Sequence, residues 1–204
     1  MAAIVVRNIA FFVMVGFALL EVLFISGEYW FDPGGIEALI ATVGLVGTML
    51  GISIWAWFSP STARYYLWVS VAVIAGVSLW WALAPRFVMD VMEERGPVVP
   101  VAAIIAAVPI VFWGRRDWGY TRQAGLALVL VALLPIVGVA ASPEDVARGV
   151  LSAVAIMTGP YAVGGLLYLL SDRLRTLFPG DAAEPIPGTY EARVDESRAT
   201  NVRP

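Results

Sequence analysis

Six long apolar stretches dominate the sequence, and most of the charge lies between or beyond them. A helix needs about 20 apolar residues to cross a hydrocarbon layer roughly 30 Å thick. Residues 8–30, 36–58, 63–84, 97–114, 119–141 and 146–171 meet or approach that length. Inside lipid every backbone amide needs a partner, and a helix supplies one locally. With 60% hydrophobic and 14% charged residues, the 204-residue chain carries more apolar surface than a water-soluble core of this size could hide. The expected fold is all-α, a polytopic transmembrane bundle of about six spans over residues 1–173. Residues 174–204 are rich in Pro, Gly, Asp, Glu and Arg without any period, and are expected to form a disordered cytoplasmic tail.

The breaks between spans follow from local chemistry. Asp32-Pro33-Gly34-Gly35 ends the first, since Pro disfavours helix at the preceding residue and Gly allows a tight reversal. Ser59-Pro60-Ser61 ends the second, with Ser61 expected to cap the next helix, and Pro85 ends the third. In residues 86–96, Phe87, Val88, Val91 and Met92 share one helical side while Asp90, Glu93 and Glu94 take the other. Such a segment reads as a short interfacial helix or as an extension of its neighbour. Pro109 is expected to kink the fourth span. Ser142-Pro143-Glu144-Asp145 predicts a helix start with Ser142 as cap and Pro143 in the first turn. The first stretch reads as a retained span, because Glu21 interrupts it and no small-residue cleavage pattern precedes Gly27.

Charge predicts orientation. Alternating the connections places Arg7, Arg64, Arg115, Arg116, Arg122, Arg173 and Arg175 on one side, against Arg86, Arg95 and Arg148 on the other. The positive-inside rule then puts both termini in the cytoplasm of a plasma-membrane protein. The opposite face carries Glu28, Asp32, Glu37, Asp90, Glu93, Glu94, Glu144 and Asp145, which reads as a solvated face or as a cation-attracting vestibule. All eight Trp lie near span ends, where indole rings favour the membrane interface.

What is missing narrows the chemistry. All 13 basic residues are Arg, and the chain has no His, Cys or Lys. Thiolate and imidazole metal sites, Ser–His proteolysis and Schiff-base pigments therefore lack their essential groups. No cofactor and no metal is expected, and no enzymatic motif is present. A net charge of −3 argues against a nucleic-acid partner.

Two features remain as candidates. Glu21 is the ionisable residue deep within a span, where a charge costs on the order of 3 kcal/mol on insertion scales. Helical geometry aligns it with Arg7, Ala10, Met14, Glu28 and Asp32, so this stripe should face the bundle interior. One reading makes Glu21 a proton or cation site approached past Glu28 and Asp32. It is paired with the Thr158-Gly159-Pro160-Tyr161 interruption of the sixth span, where Thr158 and Pro160 mark freed backbone groups. The other reading is a neutral acid hydrogen-bonded to Thr42, Thr48, Ser78 or Thr158.

The second feature is a narrow face of Gly44, Gly47, Thr48 and Gly51 on the second span. Such a face lets helix backbones approach closely, within the chain or between chains. The expected function is a non-enzymatic accessory or scaffold subunit packing in the bilayer against other membrane subunits or itself. The alternative is a small proton- or cation-coupled transporter or channel using Glu21.

Overall fold

The computed structural model describes residues 1–30, 35–88, 90 and 98–178, which contain helices and no strand. Six long helices appear among them: α1 (Ala2–Trp30), α2 (Gly35–Phe58), α3 (Pro60–Leu83), α4 (Val98–Arg116), α5 (Trp118–Ala140) and α6 (Glu144–Leu177). Four stretches, Ala2–Leu23, Ser61–Leu83, Trp118–Ala140 and Val150–Leu177, are long and apolar enough to cross a membrane. A shorter apolar stretch, Val46–Phe58, lies in α2. Their outer faces fit that solvent: Phe12, Tyr65, Leu83 and Ile156 are all more than two-thirds exposed. Apolar side chains that point outward in such number are stable in lipid and costly in water.

The helix limits match the sequence expectation closely, with two extensions. α1 begins at Ala2, six residues ahead of the expected start, and α6 continues to Leu177, so residues 174–177 belong to a helix rather than to a tail. The rest of the expected tail, residues 179–204, lies outside the described residues, as do residues 89 and 91–96 of the expected interfacial helix. Within that segment Phe87 and Val88 do not share an environment. Val88 is buried against Trp81, Val139 and Val154, while Phe87 is exposed with its ring 5.3 Å from Trp80.

The expected caps shift by one or two residues. α3 starts at Pro60 with Ser59 in the capping position, so Ser61 is already helical. α6 starts at Glu144 with Pro143 before it, and Ser142 turns back to donate to the carbonyl of Val139. A serine at a helix end satisfies whichever orphan group its turn brings nearest, and here that is the carbonyl behind it. Asp117 alone links α4 to α5. Its backbone is extended and its carboxylate accepts the Gly119 N–H at 3.2 Å. Thr121 donates to the carbonyl of Gly114 at 3.0 Å, satisfying one of the last carbonyls of α4.

The shortest long helix is the central one. α4 packs on all five others, and its residues from Ile104 to Val111 are buried or nearly so around the whole circumference. A helix apolar on every side belongs in the middle of a bundle. Pro109 sits within it and offers no N–H to the carbonyl four residues earlier. That carbonyl is Ile105, and the hydroxyl of Tyr66 on α3 donates to it at 2.9 Å. The neighbouring helix thus supplies the donor that proline removes.

α5 and α6 share the most extensive interface, and glycine sets its closeness. A Cβ on Gly125 would stand 2.8 Å from the Gly165 carbonyl oxygen, and one on Gly165 would stand 2.7 Å from that of Gly125. The face expected to perform this role behaves differently. A Cβ on Gly44, Gly47 or Gly51 would meet nothing within 4 Å, and Thr48 is exposed beside them. Among the described residues that face packs on nothing, because α2 turns its other side, with Met49, Ser53 and Ala56, toward the bundle.

The Trp residues also divide. Trp55, Trp57, Trp68 and Trp80 are exposed, as ring placement at a lipid interface requires, but Trp81 and Trp113 are completely buried. Proximity to a helix end determines depth along the bundle, whereas the direction of the side chain is decided by helix rotation.

Candidate buried acid site

α1 and α6 run antiparallel, and three levels of contact show it. Arg7 and Arg175 both lie over the Trp118 ring, Met14 presses on Gly164, and Glu21 meets Tyr161. Arg7, Ala10, Met14, Ala18 and Glu21 are all buried, so the polar and small stripe of α1 faces inward over this length. The side chain of Glu28 and all of Asp32 fall outside the described residues.

Glu21 is 8% exposed, and its Oε2 accepts a hydrogen bond from the Tyr161 hydroxyl at 2.7 Å. Its Oε1 is buried and has no hydrogen-bond partner among the described residues. A buried polar atom without a partner costs about 1–3 kcal/mol, so this oxygen is a standing demand for a donor. Tyr161 is 2% exposed and follows Pro160 directly. The acid and the proline-bearing segment of α6 are therefore at the same depth and in contact.

The hydroxyls proposed from sequence as partners are engaged elsewhere. Thr158 donates to Val154 at 2.9 Å, Ser78 to Ile74 at 2.7 Å and Thr48 to Gly44 at 2.7 Å, each to a carbonyl four residues back on its own helix. A short hydroxyl reaches its own backbone without help from a neighbour, and in an apolar setting that local bond prevails. The side chain of Thr42 is outside the described residues. α6 is also continuous across Thr158 and Pro160, so the expected interruption is a proline within an unbroken helix. Thr158 lies one turn before Tyr161 on the same buried face.

Tyr161 was the member not singled out from sequence. Its signal was present: a tyrosine amid apolar residues must find a partner for its hydroxyl once buried. Which partner could not be read, because 140 residues separate it from Glu21.

No family model, curated protein or solved structure matches this chain. Among the described residues no three His, Cys, Asp or Glu side chains gather closely enough to hold a metal ion. What the arrangement provides is one carboxyl group with one oxygen accepting from Tyr161 and the other without a partner among the described residues, enclosed by packed helices.

Proposed function

We propose that the chain is a multi-pass integral membrane protein of the plasma membrane that crosses the bilayer six times, both termini cytoplasmic, and acts as a non-enzymatic accessory or scaffold subunit. The single observation behind this is the outward Gly44, Gly47, Thr48 and Gly51 face of α2. Gly125 and Gly138 of α5 and Gly164 and Gly165 of α6 are each closed by a neighbouring helix, whereas among the described residues nothing lies within 4 Å of a Cβ placed on Gly44, Gly47 or Gly51. Small residues facing lipid let a second helix come close, and van der Waals packing then drives association. An apolar groove of about 320 Å³ adjoins the face through Ile54 and Phe58, next to Phe112 of α4. The partner is another membrane subunit or a second copy. A nucleic-acid partner, a cofactor and a catalytic cycle form no part of this reading.

The test is mass measurement of the protein extracted with native lipid. The wild type should carry at least one additional chain beyond its own 21.9 kDa. Gly44→Leu, Gly47→Leu and Gly51→Leu together should remove it while the isolated bundle melts unchanged. A wild type that is strictly monomeric, with the triple variant identical, overturns the proposal.

A second reading is supported by the meeting of Glu21 and Tyr161 beside Pro160. It is proton- or cation-coupled transport through that carboxyl group, with Thr158 and the proline-freed backbone as further ligands. Glu21→Gln in liposomes should then abolish pH-dependent flux. Retained flux, or none in the wild type, removes this reading and leaves the first intact.

A further inference from the structure

At the opposite end of α1 from Glu21, arginines gather with little opposing charge. Arg7 is 4% exposed, yet its Nε and Nη1 have no hydrogen-bond partner among the described residues. Its guanidinium lies 3.7 Å from the centre of the Trp118 ring, and that of Arg175 lies 5.3 Å from the same centre. Arg115 sits 6.0 Å from the Phe11 ring, one turn along α1 from Arg7. Arg116 has a buried Nη1 without a partner among the described residues. Arg115, Arg175 and Asp117 act electrostatically on Arg7, and the carboxylate of Asp117 is occupied with the Gly119 N–H.

Like charges this close repel, and a buried guanidinium with idle N–H groups is costly unless an anion or polar group answers it. The aromatic faces of Trp118 and Phe11 offset part of that cost through cation–π attraction, but they leave the in-plane N–H donors unsatisfied. Those donors form a fork that matches tetrahedral oxyanions, and several forks converging favour an acceptor with several oxygens. The cluster sits where α1 begins, α4 ends, α5 begins and α6 ends, at one end of the bundle.

We infer that Arg7 and Arg175 on the Trp118 ring, with Arg115 on the neighbouring Phe11 ring, form a binding site for a phosphate group, presented by an anionic phospholipid headgroup or by a free phosphate. The inference does not depend on the role of the α2 face, nor on which side of the membrane this end occupies. Trp118 holds two of the cations in place, and the idle N–H groups of Arg7 form the floor.

The experiment follows thermal unfolding of the full chain in a neutral detergent. Short-chain phosphatidylglycerol, short-chain phosphatidylcholine, inorganic phosphate and acetate are titrated separately. Phosphatidylglycerol or inorganic phosphate should raise the melting temperature saturably, and phosphatidylcholine and acetate should not. A rise with the lipid alone assigns the source to a headgroup, and saturation by inorganic phosphate without further gain from lipid assigns it to a free anion. Arg115→Gln and Arg175→Gln, both at half-buried positions, should each weaken half-saturation about tenfold, the equivalent of one charge-assisted hydrogen bond. Arg7→Gln should weaken it at least as much, and the two half-buried variants keep the test independent of whether Arg7→Gln folds. Arg64→Gln, exposed on α3, should leave it unchanged. Equal protection by phosphatidylcholine or acetate, or an equal loss in Arg64→Gln, overturns the assignment, as does indifference to Arg115 and Arg175.

Discussion

Tyr161 donates to Glu21 across 2.7 Å, and this bond joins the first and last long helices of the bundle at the level of a proline. The carboxyl group is buried, so its stability rests on that hydroxyl and on whatever its second oxygen finds. Tyr161→Phe keeps the ring and removes the donor, leaving both carboxyl oxygens without a partner. It should cost about 1–3 kcal/mol in unfolding measured in detergent. Glu21→Gln retains an acceptor oxygen and should cost less. A double-mutant cycle should give a coupling of about 0.5–3 kcal/mol, and a coupling near zero would show that the bond does not form.

Tyr66 and Pro109 form a second pair open to test. Tyr66→Phe leaves the Ile105 carbonyl without a donor and should destabilise the bundle by about 1–3 kcal/mol. Pro109→Ala returns a backbone N–H to that carbonyl. In a Pro109→Ala background the Tyr66→Phe cost should therefore shrink markedly. Equal costs in both backgrounds would rule out the compensation.

The two kinds of glycine should respond in opposite ways. Gly125→Ala forces a methyl group against the Gly165 carbonyl and should lower stability by roughly 1–3 kcal/mol. Gly47→Ala meets nothing within 4 Å and gains helix propensity, so the isolated bundle should be unchanged or more stable by about 0.5–1 kcal/mol. Thermal unfolding of both variants side by side decides the matter.

Trp118→Ala removes the ring beneath Arg7 and Arg175. The loss should be about 1–2 kcal/mol at a site shielded from water, and Trp118→Phe should recover part of it. Alanine and phenylalanine variants of equal stability would mean the ring faces contribute nothing.

The shared position of Arg7 and Arg175 on Trp118 brings the start of α1 and the end of α6 to the same end of the bundle. The chain has no cysteine, so single introduced thiols are specific probes. Ala2→Cys and Thr176→Cys should react with an impermeant maleimide from the same side of sealed vesicles. Labelling from opposite sides would contradict an even number of crossings.

Much of this protein was legible from residue order alone. Runs of apolar residues and the prolines and glycines between them marked the six long helices among the described residues, to within three residues at every limit but the start of α1 and the end of α6, because helix formation in lipid is decided locally by hydropathy and backbone hydrogen bonding. The inward stripe of Arg7, Ala10, Met14 and Glu21 followed from the angle between successive residues. Tertiary structure alone decided which faces meet. It set Tyr161 rather than a threonine on Glu21, chose Gly125 and Gly165 rather than Gly47 and Gly51 for the closest approach, and buried Trp81 and Trp113 while leaving Trp80 outside. Periodicity says which residues share a side of a helix. The rotation of that helix against its neighbours is fixed by packing between residues far apart in the chain, and no local pattern records it.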